Sequence, residues 1–151
     1  MSYKSKMRKQ ILPIVLFVGL IFFVSGCRAA LYEIKGRVVH FSELKSPVGL
    51  LEEVSEQSLL QGGTPVVGAR VRMITRLDEQ GRPLDNDGQD GPLTDENGSF
   101  YIKMFHKPSD KLKVGIEVSK NGYKTLYETC LLKGDSEPKV FLVVLAPNGT
   151  D

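Results

Sequence analysis

A chain of 151 residues that is 41% apolar and 25% charged is long enough for one ordinary domain with a real core, and too apolar for intrinsic disorder. Its formal charge of +2 misleads, because Lys4, Lys6, Arg8 and Lys9 stand ahead of every acidic residue, the first being Glu33. Without that start, 16 basic side chains face 18 acidic ones, a balance that excludes the electrostatic footprint of a nucleic-acid binder.

The four early charges precede an apolar run from Ile11 to Val24, broken only by Pro13 and Gly19 and followed by Ser25, Gly26 and Cys27. The run is shorter than the roughly 20 residues of a membrane-spanning helix, so residues 1–26 read as a secretion signal. The ending resembles a bacterial lipobox, in which cleavage after a small residue (here Gly26) exposes the cysteine that takes diacylglycerol (here Cys27). The resemblance implies a lipoprotein of the cell envelope, attached to the membrane by several acyl chains, palmitate among them, with residues 27–32 as the tether. Arg28 is not the aspartate associated with inner-membrane retention. That points to the outer membrane, on its periplasmic side or its surface, if the cell is Gram-negative. Lipidation of Cys27 leaves Cys130 unpaired inside an apparent strand, where a free cysteine behaves as a small hydrophobe.

Residues 33–40 alternate, with Ile34, Gly36 and Val38 on one side, and predict a first strand. Residues 41–64 break the pattern. Within them Leu50, Leu51, Val54 and Leu59 make an apolar stripe at helical spacing that Gly62 and Gly63 would stop, which predicts a short surface helix. The stripe is either a cap on the core or the surface for an envelope protein partner. Residues 69–76 predict a second strand with Arg70, Arg72 and Arg76 on one face, a row that either grips an anion or is neutralised by facing carboxylates.

Residues 77–93 read as a long polar loop. Its acidic spacing sets Asp85, Asp87 and Glu96 against the first, third and twelfth positions of a calcium loop, but Asp90 falls where that loop needs glycine. The metal expectation is therefore none, with those three as the only candidates. Residues 94–100, Thr-Asp-Glu-Asn-Gly-Ser-Phe, form a tight turn that opens a strand carrying Phe100, Ile102 and Met104 on its inner face. The rest of the chain is expected to organise around this stretch. Residues 112–120 alternate again, Asn121-Gly122 marks a hairpin turn, and residues 123–132 return. The last run, Val140 to Leu145, is apolar on both faces and should lie centrally or be covered.

About seven short strands with turn signals between them predict an all-β sandwich over residues 33–147, with 41–64 as an insertion. Four stretches in order, Ile34 to Val38, Pro65 to Val71, Thr94 to Phe100 and Gly122 to Lys124, resemble the carboxypeptidase regulatory-like domain. That resemblance implies a transthyretin-like (prealbumin-like) sandwich serving as an accessory module without chemistry of its own. Intradiol ring-cleaving dioxygenases look similar from Thr94 through Asp135. Their ferric iron needs a His-x-His pair, which would fall at Lys113-Val114-Gly115, where no histidine stands. Hydroxyisourate hydrolases are less similar, for their closing Tyr-Arg-Gly-Ser is absent.

His40 and His106 are the chain's two histidines, and no phosphate loop, nucleophile elbow or Cys-x-x-Cys appears. Tyr101, Phe105, Tyr123 and Tyr127 remain as aromatic surfaces for a carbohydrate. The expectation is a non-catalytic binding or scaffolding sandwich, not an enzyme and without a cofactor. The alternative is a degenerate dioxygenase-like domain that binds a small molecule without iron chemistry.

Overall fold

A computed structural model describes residues 28–42, 50–60, 62–84 and 91–149. The chain is an all-β sandwich of two sheets. Its strands are β1 (Ala30–His40), β2 (Leu50–Glu53), β3 (Thr64–Pro65), β4 (Arg70–Ile74), β5 (Ser99–His106), β6 (Leu112–Ser119), β7 (Leu126–Leu132) and β8 (Lys139–Val144). The larger sheet runs β2-β8-β1, with β5 and the short β3 both on the far side of β1, and the smaller sheet runs β4-β6-β7.

β1 is the hub. It pairs antiparallel with β5 from Ala30↔His106 to Arg37↔Ser99 and parallel with β8 from Ile34↔Lys139 to Val39↔Val144. The stretch 94–100 instead opens β5, which has one sheet neighbour, so the expectation that the chain organises around it is corrected. Its alternation is kept in full: Phe100, Ile102 and Met104 are buried, while Tyr101, Lys103 and Phe105 are exposed. β8 lies between β2 and β1, which accounts for a strand apolar on both faces.

The core joins the inner faces of both sheets. Tyr32, Ile34 and Val38 of β1, with Phe141 and Val143 of β8, meet Val71 and Met73 of β4 and Val114, Ile116 and Val118 of β6. Gly36 stands opposite Phe100, and a Cβ there would lie 2.1 Å from the Phe141 carbonyl oxygen and 2.7 Å from the Phe100 ring. The absent side chain is what lets the phenyl ring cross β1. Gly98 has a φ of 71° and approaches the Val38 carbonyl so closely that a Cβ would sit 2.4 Å from it. Both the conformation and the contact require glycine.

Three expectations are corrected. The insertion is not an α-helix: Leu50–Glu53 forms β2, paired with β8 from Leu50↔Val144 to Glu53↔Phe141, and a 3-10 turn follows at Glu56–Leu60. β8 offers a strand edge whose amides and carbonyls need partners, and pairing there outweighs the weak helical spacing. The first strand begins at Ala30, so residues 30–32 of the expected tether belong to the sheet. The return after Asn121-Gly122 starts at Leu126, because Tyr123 bridges to Pro147 instead of to β6.

Candidate functional site

Cys27 and Gly26 lie outside the described residues, as do Asp85 and Asp87 of the calcium candidates. Glu96 is exposed in the turn before β5. That turn has its own use for acid: Asp95 Oδ1 accepts from the amides of Asn97 at 2.9 Å and Ser99 at 2.8 Å, an Asx arrangement that fixes the chain direction. No cluster of three His, Cys, Asp or Glu side chains occurs among the described residues.

The four apolar residues of the insertion do not share one helix. Leu50 and Leu51 fall in β2 and Leu59 in the 3-10 turn, while Val54 donates its amide to Val140 at 2.9 Å. Arg37 of β1 donates to the Leu59 carbonyl at 3.0 Å, and Lys35 pairs with Glu56. The segment therefore closes over the outside of β8 and β1. A cleft of about 510 Å³ remains beside it, lined by Lys35, Arg37, Glu56 and Leu59 with Asn97 and Ser99.

The arginine row divides. Arg72 is half-buried and donates to Glu117 Oε1 at 3.1 Å, the neutralised arrangement. Arg70 stands at the end of β4 opposite Ser119 and opens onto a cleft of about 680 Å³. Three turns build this cleft. The link containing Gly68 is tied to Thr94, whose carbonyl accepts from Gly68 at 2.9 Å and whose amide donates to Ala69 at 2.8 Å. The hydroxyl of Thr94, the one buried polar side chain among the described residues, donates to the Val66 carbonyl at 2.6 Å and accepts from the Ala69 amide at 2.8 Å. The Asn121-Gly122 turn closes with Tyr123 donating to the Lys120 carbonyl at 3.0 Å, and the terminal turn joins it with Asn148 donating to Gly122 at 2.8 Å. His40, at the end of β1, steadies Tyr123 at 3.3 Å from its hydroxyl.

The remaining candidates for chemistry are occupied structurally. Burial pushes the Cys130 thiol up to about 11, far from the range of a nucleophile at neutral pH. His106 lies edge-on to Tyr32 with ring centroids 6.4 Å apart. Where a His-x-His pair was sought, Val114 is in the core and Gly115 faces Tyr127, whose hydroxyl would lie 2.3 Å from any Cβ. The Tyr127 hydroxyl donates to the Gly81 carbonyl at 2.7 Å. Among the described residues no helix is long and apolar enough to cross a membrane.

The sequence singled out Arg70 and Tyr123 separately and did not find Lys120, Asn121 and Asn148 as their neighbours. Those three lie in turns, where polar residues are the default and carry no signal of which loops meet.

No family model matches the chain, and no curated protein matches it. Among solved structures it is similar to 3-chlorocatechol 1,2-dioxygenase from Rhodococcus opacus 1CP, with 13% identity over 81% of this chain and 61% of that one, at a TM-score of 0.46. It is also similar to the minor pilin GBS52 of Streptococcus agalactiae, with 10% identity over 82% of this chain and 48% of that one, at 0.43. Chlorocatechol 1,2-dioxygenase from Pseudomonas putida gives 13%, 77%, 61% and 0.42 in the same order. The chain thus spans half to three-fifths of these proteins, and at such identities the likeness is one of β-sandwich fold, not of activity.

Proposed function

We propose that this chain is a lipid-anchored protein of the cell envelope whose β-sandwich is a non-catalytic binding module of the carboxypeptidase regulatory-like kind. The observation that carries the binding reading is the polar cleft at the His40 end of β1, built from three cross-tied turns. β1 begins at Ala30, three residues after Cys27, so an anchor at Cys27 leaves that cleft at the opposite end of the domain. The four motif stretches support the family reading by where they fall: in β1, in the link into β4, in the turn into β5 and in the turn after β6.

The anchor is tested by labelling cells with palmitate and comparing the parent with Cys27→Ser. The parent takes up label and partitions into detergent; the variant takes up none and stays as uncleaved precursor. A variant that matures and partitions like the parent rules out the lipoprotein. Iron in the purified protein at one equivalent per chain would instead revive the reading of an iron-dependent ring-cleaving enzyme, and overturn the non-catalytic one.

A further inference from the structure

We propose that the Ala30 end of the sandwich seats on a lipid bilayer, with Phe105 and Leu131 entering the boundary between headgroups and acyl chains, one from each sheet. This rests on the anchor read at Cys27 and goes beyond it, because the folded domain touches the membrane and not the acyl chains alone.

The tether is the first argument. Cys27 stands three residues before Ala30, where β1 begins, a reach of at most about 11 Å in extended chain. Ala30 pairs with His106 and Leu31 with Phe105, so sheet register sets the end of β5 beside the tether. The loop after β7 is fastened at the same place. The Asp135 amide donates to the Leu31 carbonyl at 2.8 Å, and its carboxylate accepts from the Leu31 amide at 3.0 Å. A lipid at Cys27 therefore holds both strand ends close to the membrane surface.

The side chains are the second. Phe105 and Leu131 are the next-to-last residues of β5 and β7, which belong to different sheets. Their neighbours Met104 and Leu132 are buried, whereas Phe105 is 69% and Leu131 48% exposed. No other large apolar side chain among the described residues is as exposed as Phe105, and the bilayer boundary is the apolar medium within its reach. The loop from β5 to β6 adds the exposed Pro108. It is held by the Tyr32 hydroxyl, which accepts from the Ser109 amide at 2.8 Å and donates to the Lys107 carbonyl at 3.2 Å, so seating orders little that is not already fixed. This loop and the one after β7 meet beside Ala30. Charge here is of both signs, Lys107 with Asp110 on one loop and Lys133 with Asp135 on the other. The lysine stems lie along apolar surface while their heads reach headgroup phosphates, and apolar contact rather than net charge drives the seating.

The test places the lipidated full chain in vesicles of phosphatidylcholine brominated along its acyl chains, which quench an indole only on close approach. The chain has no tryptophan, so Phe105→Trp and Tyr101→Trp each carry a single one. The two positions share the outer face of β5, four residues or about 13 Å apart. Quenching at position 105 is expected to exceed that at 101 about fivefold, since the boundary is only several ångströms deep. Leu131→Trp reads the native phenyl ring from the other sheet, and its quenching should fall about threefold when Phe105→Ser is added. Melting curves of the same samples establish that the variants are folded, and palmitate uptake with flotation on the vesicles establishes that they are anchored. Anchored chains quenched no more at 105 than at 101 overturn the seating and leave the anchor standing. So does quenching at position 131 that ignores Phe105→Ser. A chain that takes up no palmitate removes the anchor and the seating together.

Discussion

Thr94 shows how much one hydroxyl can settle. It satisfies the Ala69 amide and the Val66 carbonyl from a buried position, and through them it holds the link that forms one wall of the cleft. Thr94→Val keeps the shape and leaves both backbone groups without a partner, so the expected loss is about 2–4 kcal/mol in denaturant unfolding. A loss below about 0.5 kcal/mol would show that water replaces the hydroxyl. Cys130 gives a prediction in pH. Burial raises its folded thiol to about 11, from an ordinary value of 9.0. Between those values the unfolded chain loses the proton and the folded one keeps it, so this group's contribution to stability is complete below pH 9 and is lost as pH climbs to 11. In a Cys27→Ser chain, iodoacetamide labelling of the native protein should rise with a midpoint near 11 and that of the unfolded protein near 9. Coincident midpoints would mean that the thiol is not desolvated.

The elements divide by how their pattern arose. β5 and β6 were legible because each buries one face of a strand, and the period of two in Phe100, Ile102 and Met104, or in Val114, Ile116 and Val118, survives in the structure. The central position of β8 was legible for the opposite reason, since a run apolar on both faces has no face left for water. β2 was not legible. Leu50-Leu51-Glu52-Glu53 has no alternation and consists of good helix formers, and what makes it a strand is the edge of β8, supplied from about ninety residues further along the chain. The cleft was only half legible for a similar reason: Arg70 is brought beside Ser119 by sheet register, not sequence proximity, and so lines one cleft with Lys120. The insertion carries a test of its own. Deleting Leu50–Leu60 and closing the gap with glycines removes four cross-strand pairs, at roughly 0.2–1 kcal/mol each. The deletion should therefore destabilise the domain by about 1–4 kcal/mol. A deletion variant that melts with the parent would free the segment to be a docking surface and not a cap.

At the scale of the whole molecule, the ends of the sandwich differ. The Ala30 end carries the turns of a third cleft, lined by Pro108, Ser109 and Asp135, where the Tyr32 hydroxyl accepts from the Ser109 amide at 2.8 Å. The His40 end carries the cleft lined by Arg70, Lys120 and Tyr123. An eleven-residue β1 separates them by about 35 Å at roughly 3.3 Å per residue. With an anchor at Cys27, a fluorophore at Ser109 should be quenched by nitroxide-headgroup lipids and one at Asn121 should not. Equal quenching at both would mean that the domain lies flat on the membrane. The placement of β1 also has a mechanical meaning. A domain tethered at one end and gripping something fixed at the other carries tension, and that tension enters along the axis of its central strand. The hydrogen bonds to β5 and β8 run across this axis. Force along β1 therefore loads both ladders in shear, many bonds at once, where a strand pulled from the side would peel away bond by bond.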